Sequence, residues 1–173
     1  YNVYLTLQIA ECYLFRRSSR VLPIIEWIMN NISGTGTFPE AIHPVTGGGC
    51  MGDGHHGWAC ADLLHLTRNL VFFEEEDGIV ITPVIYHRWM EAGETISISN
   101  APSYYGIINL SIESFSDRIV LNLSNQYTVP PLYIAFSIPL SIERILIDNR
   151  EGETRKDVTV RFGPHAREVV VYR

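Results

Sequence analysis

The spacing of apolar residues changes near residue 78 of the chain. In residues 1–76 many apolar side chains recur three or four positions apart, which is the spacing of a helix face. From residue 79 onward apolar and polar residues mostly alternate, which is typical of a strand with one buried and one solvated face. The pattern therefore predicts a fold of α plus β class in two parts. We expect helices in residues 1–78 and an antiparallel β-sandwich domain in residues 79–173.

Three helices are predicted in the first part. Residues 4–15 are apolar almost all round, which is typical of a helix buried on several sides. A second helix is expected to begin after Ser19 as its N-cap, with Pro23 tolerated in the first turn, and to end at the glycines of residues 33–36. A third is expected from about residue 55 to residue 72, with Asp53 as its N-cap.

Five alternating runs predict strands in the second part, and turn-forming residues separate them. The runs cover residues 95–99, 108–113, 119–123, 158–162 and 169–171. Because all-round apolar helices cannot bury themselves, we expect another segment to pack on them. That segment would be an upstream part of the same protein or another chain, and Tyr1 in place of a starting Met suggests the former.

Composition and charge exclude several classes of protein. The 173 residues are 46% apolar and only 18% charged, which is not the composition of a disordered chain. The chain has 13 Lys and Arg and 19 Asp and Glu, and its net charge of −6 argues against a nucleic-acid partner. No apolar run has the roughly 18–20 residues of a membrane span. Three cysteines, Cys12, Cys50 and Cys60, form no CxxC pair, so free thiols are favoured over one disulfide with a spare thiol.

The candidate chemistry lies in a glycine-rich segment, residues 37–58. It contains six Gly, two Pro, three His and two carboxylates. A segment of this length without regular structure is usually functional or disordered, and its aromatic and Pro content argues against disorder. Glu40 follows Pro39, whose ring restricts the backbone, and a carboxylate held rigidly in this way suits an acid/base catalyst.

The run from Phe38 to Asn69 resembles the last helix pair of six-hairpin glycosidases, the superfamily of glucoamylase-like and α-L-rhamnosidase-like enzymes. Pro39-Glu40 is similar to a Pro-Glu pair before the final helix, and Gly57-Trp58-Ala59 resembles the entry to that helix. The resemblance implies that residues 1–78 are the final helices of an (α/α)6 toroid, and that a β-sandwich follows as in rhamnosidase-like members. It departs from the glucoamylase-like pattern at Ala41, where Gln is usual, and in its C-terminal β-domain.

The resemblance also implies a role for each candidate residue. Glu40 would be the general base of an inverting glycoside hydrolase, with the general acid on an upstream segment roughly 6.5–9.5 Å away. The substrate would be an oligo- or polysaccharide, and no cofactor is expected. Trp58 could stack on the apolar face of the sugar. The sugar hydroxyls could form hydrogen bonds with His43, Asp53, His55 or His56.

Other interpretations of the same residues remain open. Glu40 could pair with an Arg, Asp53 could serve only as a helix cap, and Trp58 could belong to the core. The histidines do not predict a metal site, because adjacent His side chains diverge and no HxxxH motif supports them. The alternative function is a non-catalytic structural or carbohydrate-binding module. A second carboxylate facing Glu40 favours the enzyme, whereas an Arg bonded to Glu40 favours the module.

Overall fold

The computed structural model describes residues 1–51, 54–153 and 159–173. The chain forms two compact units, which we call the helical unit (Tyr1–Leu70) and the β unit (Val71–Arg173).

The helical unit contains the helices α1 (Val3–Phe15), α2 (Val21–Asn30) and α3 (Gly57–Val71), with a hairpin of β1 (Ala41–Ile42) and β2 (Gly49–Met51) before α3. Asn2 caps α1, since its Oδ1 accepts a hydrogen bond of 2.8 Å from the backbone N–H of Leu5. The expected Ser19 cap of α2 is wrong. Arg20 occupies the cap position and its side chain makes no capping bond.

One face of each of the first two helices is buried. The buried residues are Val3, Leu7, Ala10 and Leu14 on α1 and Val21, Ile25 and Ile28 on α2, at the three- and four-residue spacing of a helix stripe. The opposite side of α1 is not buried within the structure, because Leu5 is 50% exposed and Ile9 is 52% exposed. The helical unit therefore covers only part of the apolar surface of α1.

The β unit contains eleven strands in the described residues and one short 3-10 helix (His87–Met90). The strands are β3 (Phe72–Glu74), β4 (Gly78–Ile81), β5 (Thr95–Ser103), β6 (Gly106–Ser114), β7 (Arg118–Leu123), β8 (Gln126–Tyr127), β9 (Tyr133–Ser137), β10 (Arg144–Ile147), β11 (Arg150–Glu151), β12 (Thr159–Phe162) and β13 (Glu168–Tyr172). A seven-stranded sheet has the order β11-β10-β13-β7-β6-β5, with β8 also paired to β6. A four-stranded sheet has the order β12-β9-β4-β3. Pairings between these strands are antiparallel, apart from the parallel pair β4–β9.

Both sheets contribute side chains to one core, which positions the loops at their ends. The larger sheet supplies alternate residues of its central strands, among them Ile108, Leu110 and Ile112 of β6 and Ile119, Leu121 and Leu123 of β7. The smaller sheet supplies Ile79, Ile81, Ile134, Phe136, Val160 and Phe162. The five alternating runs correspond to β5, β6, β7, β12 and β13, except that Val158 lies outside the described residues.

Period-two alternation misses strands that are buried at every position. All four residues of β4 are buried, and so are the three central residues of β9. Such continuous apolar runs cannot be distinguished from helix by periodicity alone. β3 likewise occupies residues 72–74, which lie within the part of the chain whose pattern predicted helix.

The predicted fold class is wrong. The described residues contain three α-helices and more strand (36%) than helix (25%), so residues 1–78 are not the final helices of an (α/α)6 toroid. The physical reason is that the glycine-rich segment forms a hairpin and the apolar run after α3 pairs into a sheet instead of extending the helix.

Two further features bear on the class of protein. None of the helices in the described ranges combines the length and the hydropathy that crossing a membrane requires. Cys12, Cys50 and Cys60 are free thiols, as the sequence favoured.

Candidate functional site

The backbone of Glu40 is held on both sides. Its N–H donates to the carbonyl of Met51 across the hairpin at 3.0 Å, and its carbonyl accepts from the N–H of Val3 at 3.3 Å. Asn2 and Ala41 form an isolated antiparallel bridge, which ties the beginning of α1 to the same strand. Glu40 is therefore a half-buried residue on a fixed backbone, as its position after Pro39 led us to expect.

Close packing in the hairpin requires a glycine opposite Pro39. A Cβ atom built on Gly49 would lie 2.9 Å from the Cβ of Pro39, which is closer than real Cβ atoms approach. Glycine is therefore required at position 49, because the absence of a side chain lets β2 approach the Pro39-Glu40 pair.

Three aromatic rings form a cluster beside this hairpin. The ring centroids of Tyr4 and His56 are 5.7 Å apart, those of Tyr4 and Trp58 are 5.5 Å apart, and those of His56 and Trp58 are 5.8 Å apart. The backbone N–H of His56 donates to the carbonyl of Phe38 at 2.8 Å, which fixes the cluster next to the Pro39-Glu40 pair. Trp58 is 67% exposed, so the interpretation of its side chain as core is wrong.

Two of the predicted histidines have local roles in the structure. The Nδ1 atom of exposed His43 accepts from the backbone N–H groups of Val45 and Thr46, each at 3.2 Å, and so stabilises the turn of its own hairpin. His55 lies with Nδ1 at 3.2 Å from the hydroxyl of Thr37. Because that hydroxyl can donate to the carbonyl of Gly54 at 3.0 Å, it is suited to accept from a protonated Nδ1 of His55.

Asp53, Glu40 and His56 are the remaining predicted site residues. Asp53 lies outside the described residues. The Glu40 carboxylate makes no hydrogen bond or ion pair with any residue in the described part of the chain, so no described Arg occupies it. The Nδ1 atom of His56 is buried and has no hydrogen-bond partner there either. Over the same ranges, no three His, Cys, Asp or Glu side chains are grouped so that they could hold a metal ion.

Sequence reasoning missed a polar cluster between α1 and α3. The side chain of Asn69 donates to Oε2 of Glu11 at 3.0 Å, and Nδ1 of His65 lies 3.4 Å from Oε1. The contact between Glu11 and His65 is within ion-pair distance but is not a hydrogen bond, because Oε1 of Glu11 is buried without a hydrogen-bond partner in the described residues. Oδ2 of Asp62 is likewise buried without a hydrogen-bond partner there.

The environment of Glu11 changes its protonation. Burial raises the pKa of the Glu11 carboxyl, and the charge of Asp62 adds to that shift, whereas the bond from Asn69 and the charges of His65 and Arg68 oppose it. A sequence signal for the cluster existed, because Asp62, His65 and Asn69 lie at helical spacing on α3. Only the packing of α1 shows that Glu11 meets that face.

Comparisons with known proteins place the chain in no family. No protein-family model matches it, and no curated protein sequence matches it. The crystal structure of a GH127 β-L-arabinofuranosidase from Geobacillus stearothermophilus T6 is similar to part of the chain, with 13% sequence identity and a TM-score of 0.40. The match covers 66% of this chain and 18% of that protein.

Proposed function

We propose that the helical unit carries part of a carbohydrate site, in which Glu40 is the general base of glycoside hydrolysis. The observation that carries the proposal is that Glu40 lies on a backbone held by Met51 and Val3, two residues after Phe38, whose carbonyl accepts from the N–H of His56 in the aromatic cluster. The proposal concerns this loop and these rings, and it requires no helical barrel.

Each part of this arrangement has a use in sugar chemistry. An exposed indole ring offers a flat apolar surface, and the C–H face of a pyranose or furanose ring packs well on such a surface. Trp58 and Tyr4 would therefore hold the sugar, with the ring of His56 packed against both of them. The carboxylate of Glu40 would take a proton from the attacking water.

Hydrolysis with inversion also requires a general acid. In inverting enzymes the acid and base carboxyl groups are roughly 6.5–9.5 Å apart, which leaves room for one water molecule. We propose that the acid comes from a segment or chain that packs beside the helical unit. The substrate is an oligo- or polysaccharide in this proposal, because an exposed platform can hold one ring of a longer chain.

A second candidate function is carbohydrate binding without hydrolysis. The observation that favours it is the large exposure of Trp58 next to Tyr4, since an aromatic platform binds sugars whether or not a base is present. The two candidates differ in what Glu40 contributes.

The decisive experiment uses the full-length protein, together with the segment or chain that supplies the acid, and compares Glu40→Gln with the unchanged protein on a panel of aryl glycosides. Loss of a general base lowers kcat by about 10²- to 10⁴-fold, while Gln preserves the shape of the side chain. Glu26→Gln is the matched control, because Glu26 is an exposed carboxylate on α2 of the same unit. Hydrolysis that is unchanged in Glu40→Gln would remove Glu40 as the base.

Binding is tested separately with Trp58→Ala. We expect weaker binding of oligosaccharides by titration calorimetry, together with loss of their quenching of tryptophan fluorescence. If Trp58→Ala weakens binding while no glycoside is hydrolysed by the unchanged protein, the binding function is supported instead. If Trp58→Ala binds oligosaccharides as tightly as the unchanged protein, the proposal that Trp58 binds the sugar is wrong.

A further inference from the structure

The β unit contains a cleft at one set of its loops. It is formed by the connection from β7 to β8 and the connection from β12 to β13, and its volume is about 440 Å³. Ligand sites in proteins commonly measure about 300–1,000 Å³, so the cleft has room for a molecule of monosaccharide size. The walls consist of Leu123, Ser124, Asn125, Tyr127, Pro164, His165, Ala166 and Arg167.

The backbone around the cleft is fixed by hydrogen bonds. The N–H of Leu123 donates to the carbonyl of Arg167 at 2.8 Å, which joins the two connections directly. On the first connection, Oδ1 of Asn125 accepts from the N–H of Asn109 at 2.8 Å, and the N–H of Ser124 donates to the carbonyl of Asn109 at 3.0 Å. The cleft is therefore formed before any ligand arrives.

The hydrogen-bonding groups of the cleft are mainly donors. Nδ2 of Asn125 donates to the hydroxyl of Tyr127 at 2.7 Å, which leaves the phenolic proton available for another acceptor. Burial raises the pKa of Tyr127, so the phenol keeps this proton at neutral pH. The hydroxyl of Ser124 can donate as well.

The charge of the cleft is opposite in sign to that of the chain. The chain carries a net charge of −6, yet the cleft is lined by the cation Arg167 and by no carboxylate. The guanidinium of Arg167 has no ion pair or hydrogen bond to any residue that the structure describes. One carboxylate, Asp148, contacts this loop, but its Oδ1 accepts from the backbone N–H groups of Arg167 and Glu168.

We propose that this cleft binds the oxyanion of a small organic molecule, a carboxylate or a phosphate. The planar guanidinium of Arg167 matches two oxygens of such a group, and the phenol of Tyr127 donates a further bond. The apolar sides of Pro164, Ala166 and Leu123 cover the ring or chain that carries the anion. This site is independent of Glu40 and of the proposed hydrolysis.

The test uses ring-sized probes that differ in charge. Glucuronate supplies a carboxylate, glucose 6-phosphate supplies a phosphate, and glucose supplies neither. We expect at least one anion to bind detectably in calorimetry or in NMR titrations, with glucose at least about tenfold weaker. The preferred anion identifies which oxyanion the cleft takes. Equal binding of glucose, or no binding of either anion at the highest soluble concentration, would overturn the proposal.

Two variants assign the binding to the cleft. Arg167→Gln should weaken binding of the anion by about tenfold or more, because a charged donor is lost, and Tyr127→Phe should weaken it by less. Arg150→Gln is the matched control, since Arg150 is an exposed cation on β11 outside the cleft walls. Circular dichroism checks that each variant is folded. If a folded Arg167→Gln binds the anion as tightly as the control, the site is not this cleft.

Discussion

Burial raises the pKa of Glu11, a residue that no sequence pattern singled out. Its carboxylate accepts one bond from Asn69, while its other oxygen is buried beside Asp62 and 3.4 Å from the ring of His65. Because the charged form loses hydration and gains only partial compensation, the folded state raises the pKa of this carboxyl above its ordinary value of 4.5.

This shift predicts a pH dependence of stability. Since the folded state holds the proton more tightly than the unfolded state, stability falls as pH rises from 4.5 through the raised pKa of Glu11. Glu11→Gln keeps the acceptor for Asn69 and removes the charge. We therefore expect it to raise the melting temperature at pH 7 and to change it little near pH 4. Thermal melts at both pH values check this, and an equal change at both would contradict it.

A second residue-scale prediction concerns Gly106, which begins β6 with a φ of +126°. A Cβ atom there would lie 2.3 Å from the carbonyl oxygen of Gln126 and 2.8 Å from the N–H of Thr128, both backbone atoms that cannot turn aside. Gly106→Ala should therefore destabilise the protein by about 3 kcal/mol or more.

The matched control for Gly106 is Gly93→Ala. Gly93 also has positive φ, at +97°, but a Cβ atom there would meet nothing within 4 Å. Only backbone strain is then introduced, so we expect a loss of about 1–2 kcal/mol in chemical denaturation. Equal losses for the two variants would show that the close approach at Gly106 is unimportant.

At the scale of elements, periodicity located the strands that have one wet face. β6 and β7 alternate buried and less buried residues along the chain, and their buried residues belong to the core of the β unit. β4 and β9 do not alternate, because they lie inside the smaller sheet, next to each other in its order. Their pairing joins residues more than fifty positions apart, which no local pattern expresses.

The core of the β unit predicts the cost of truncating one of its strands. Leu121 of β7 is fully buried, so Leu121→Ala should lower the free energy of unfolding by about 2–5 kcal/mol. Leu132→Ala is the control with the same chemical change, and it should cost less than about 0.5 kcal/mol because Leu132 is 75% exposed. Urea denaturation of both variants checks the difference, and similar midpoints would contradict the burial assigned to Leu121.

At the scale of the whole molecule, the core of the β unit consists entirely of residues from that unit. The helical unit differs, because large apolar side chains on its helices remain half-exposed or more, notably Leu5, Ile9, Phe15 and Leu64. The expectation that another segment covers the helices stays a prediction.

The contrast between the units predicts the behaviour of a fragment. Residues 71–173 produced alone should show the circular dichroism of a β protein and melt cooperatively, because their core is complete. Residues 1–70 produced alone should bind a hydrophobic dye strongly, because the exposed apolar surface of α1 is accessible. A fragment 71–173 without a cooperative melt would show that its core depends on other residues.

The sequence by itself determined the features that depend on neighbouring residues. These are the presence of three helices and the alternating strands, because the spacing of apolar residues reflects the local backbone. The tertiary structure alone decided which side chains are buried, since burial depends on contacts between distant segments. It exposed Trp58, buried one carboxylate oxygen of Glu11 and brought together the cleft around Arg167. It also formed strand β3 from residues 72–74, in the part of the chain that was expected to be helical, because a strand buried on both faces carries no period of its own.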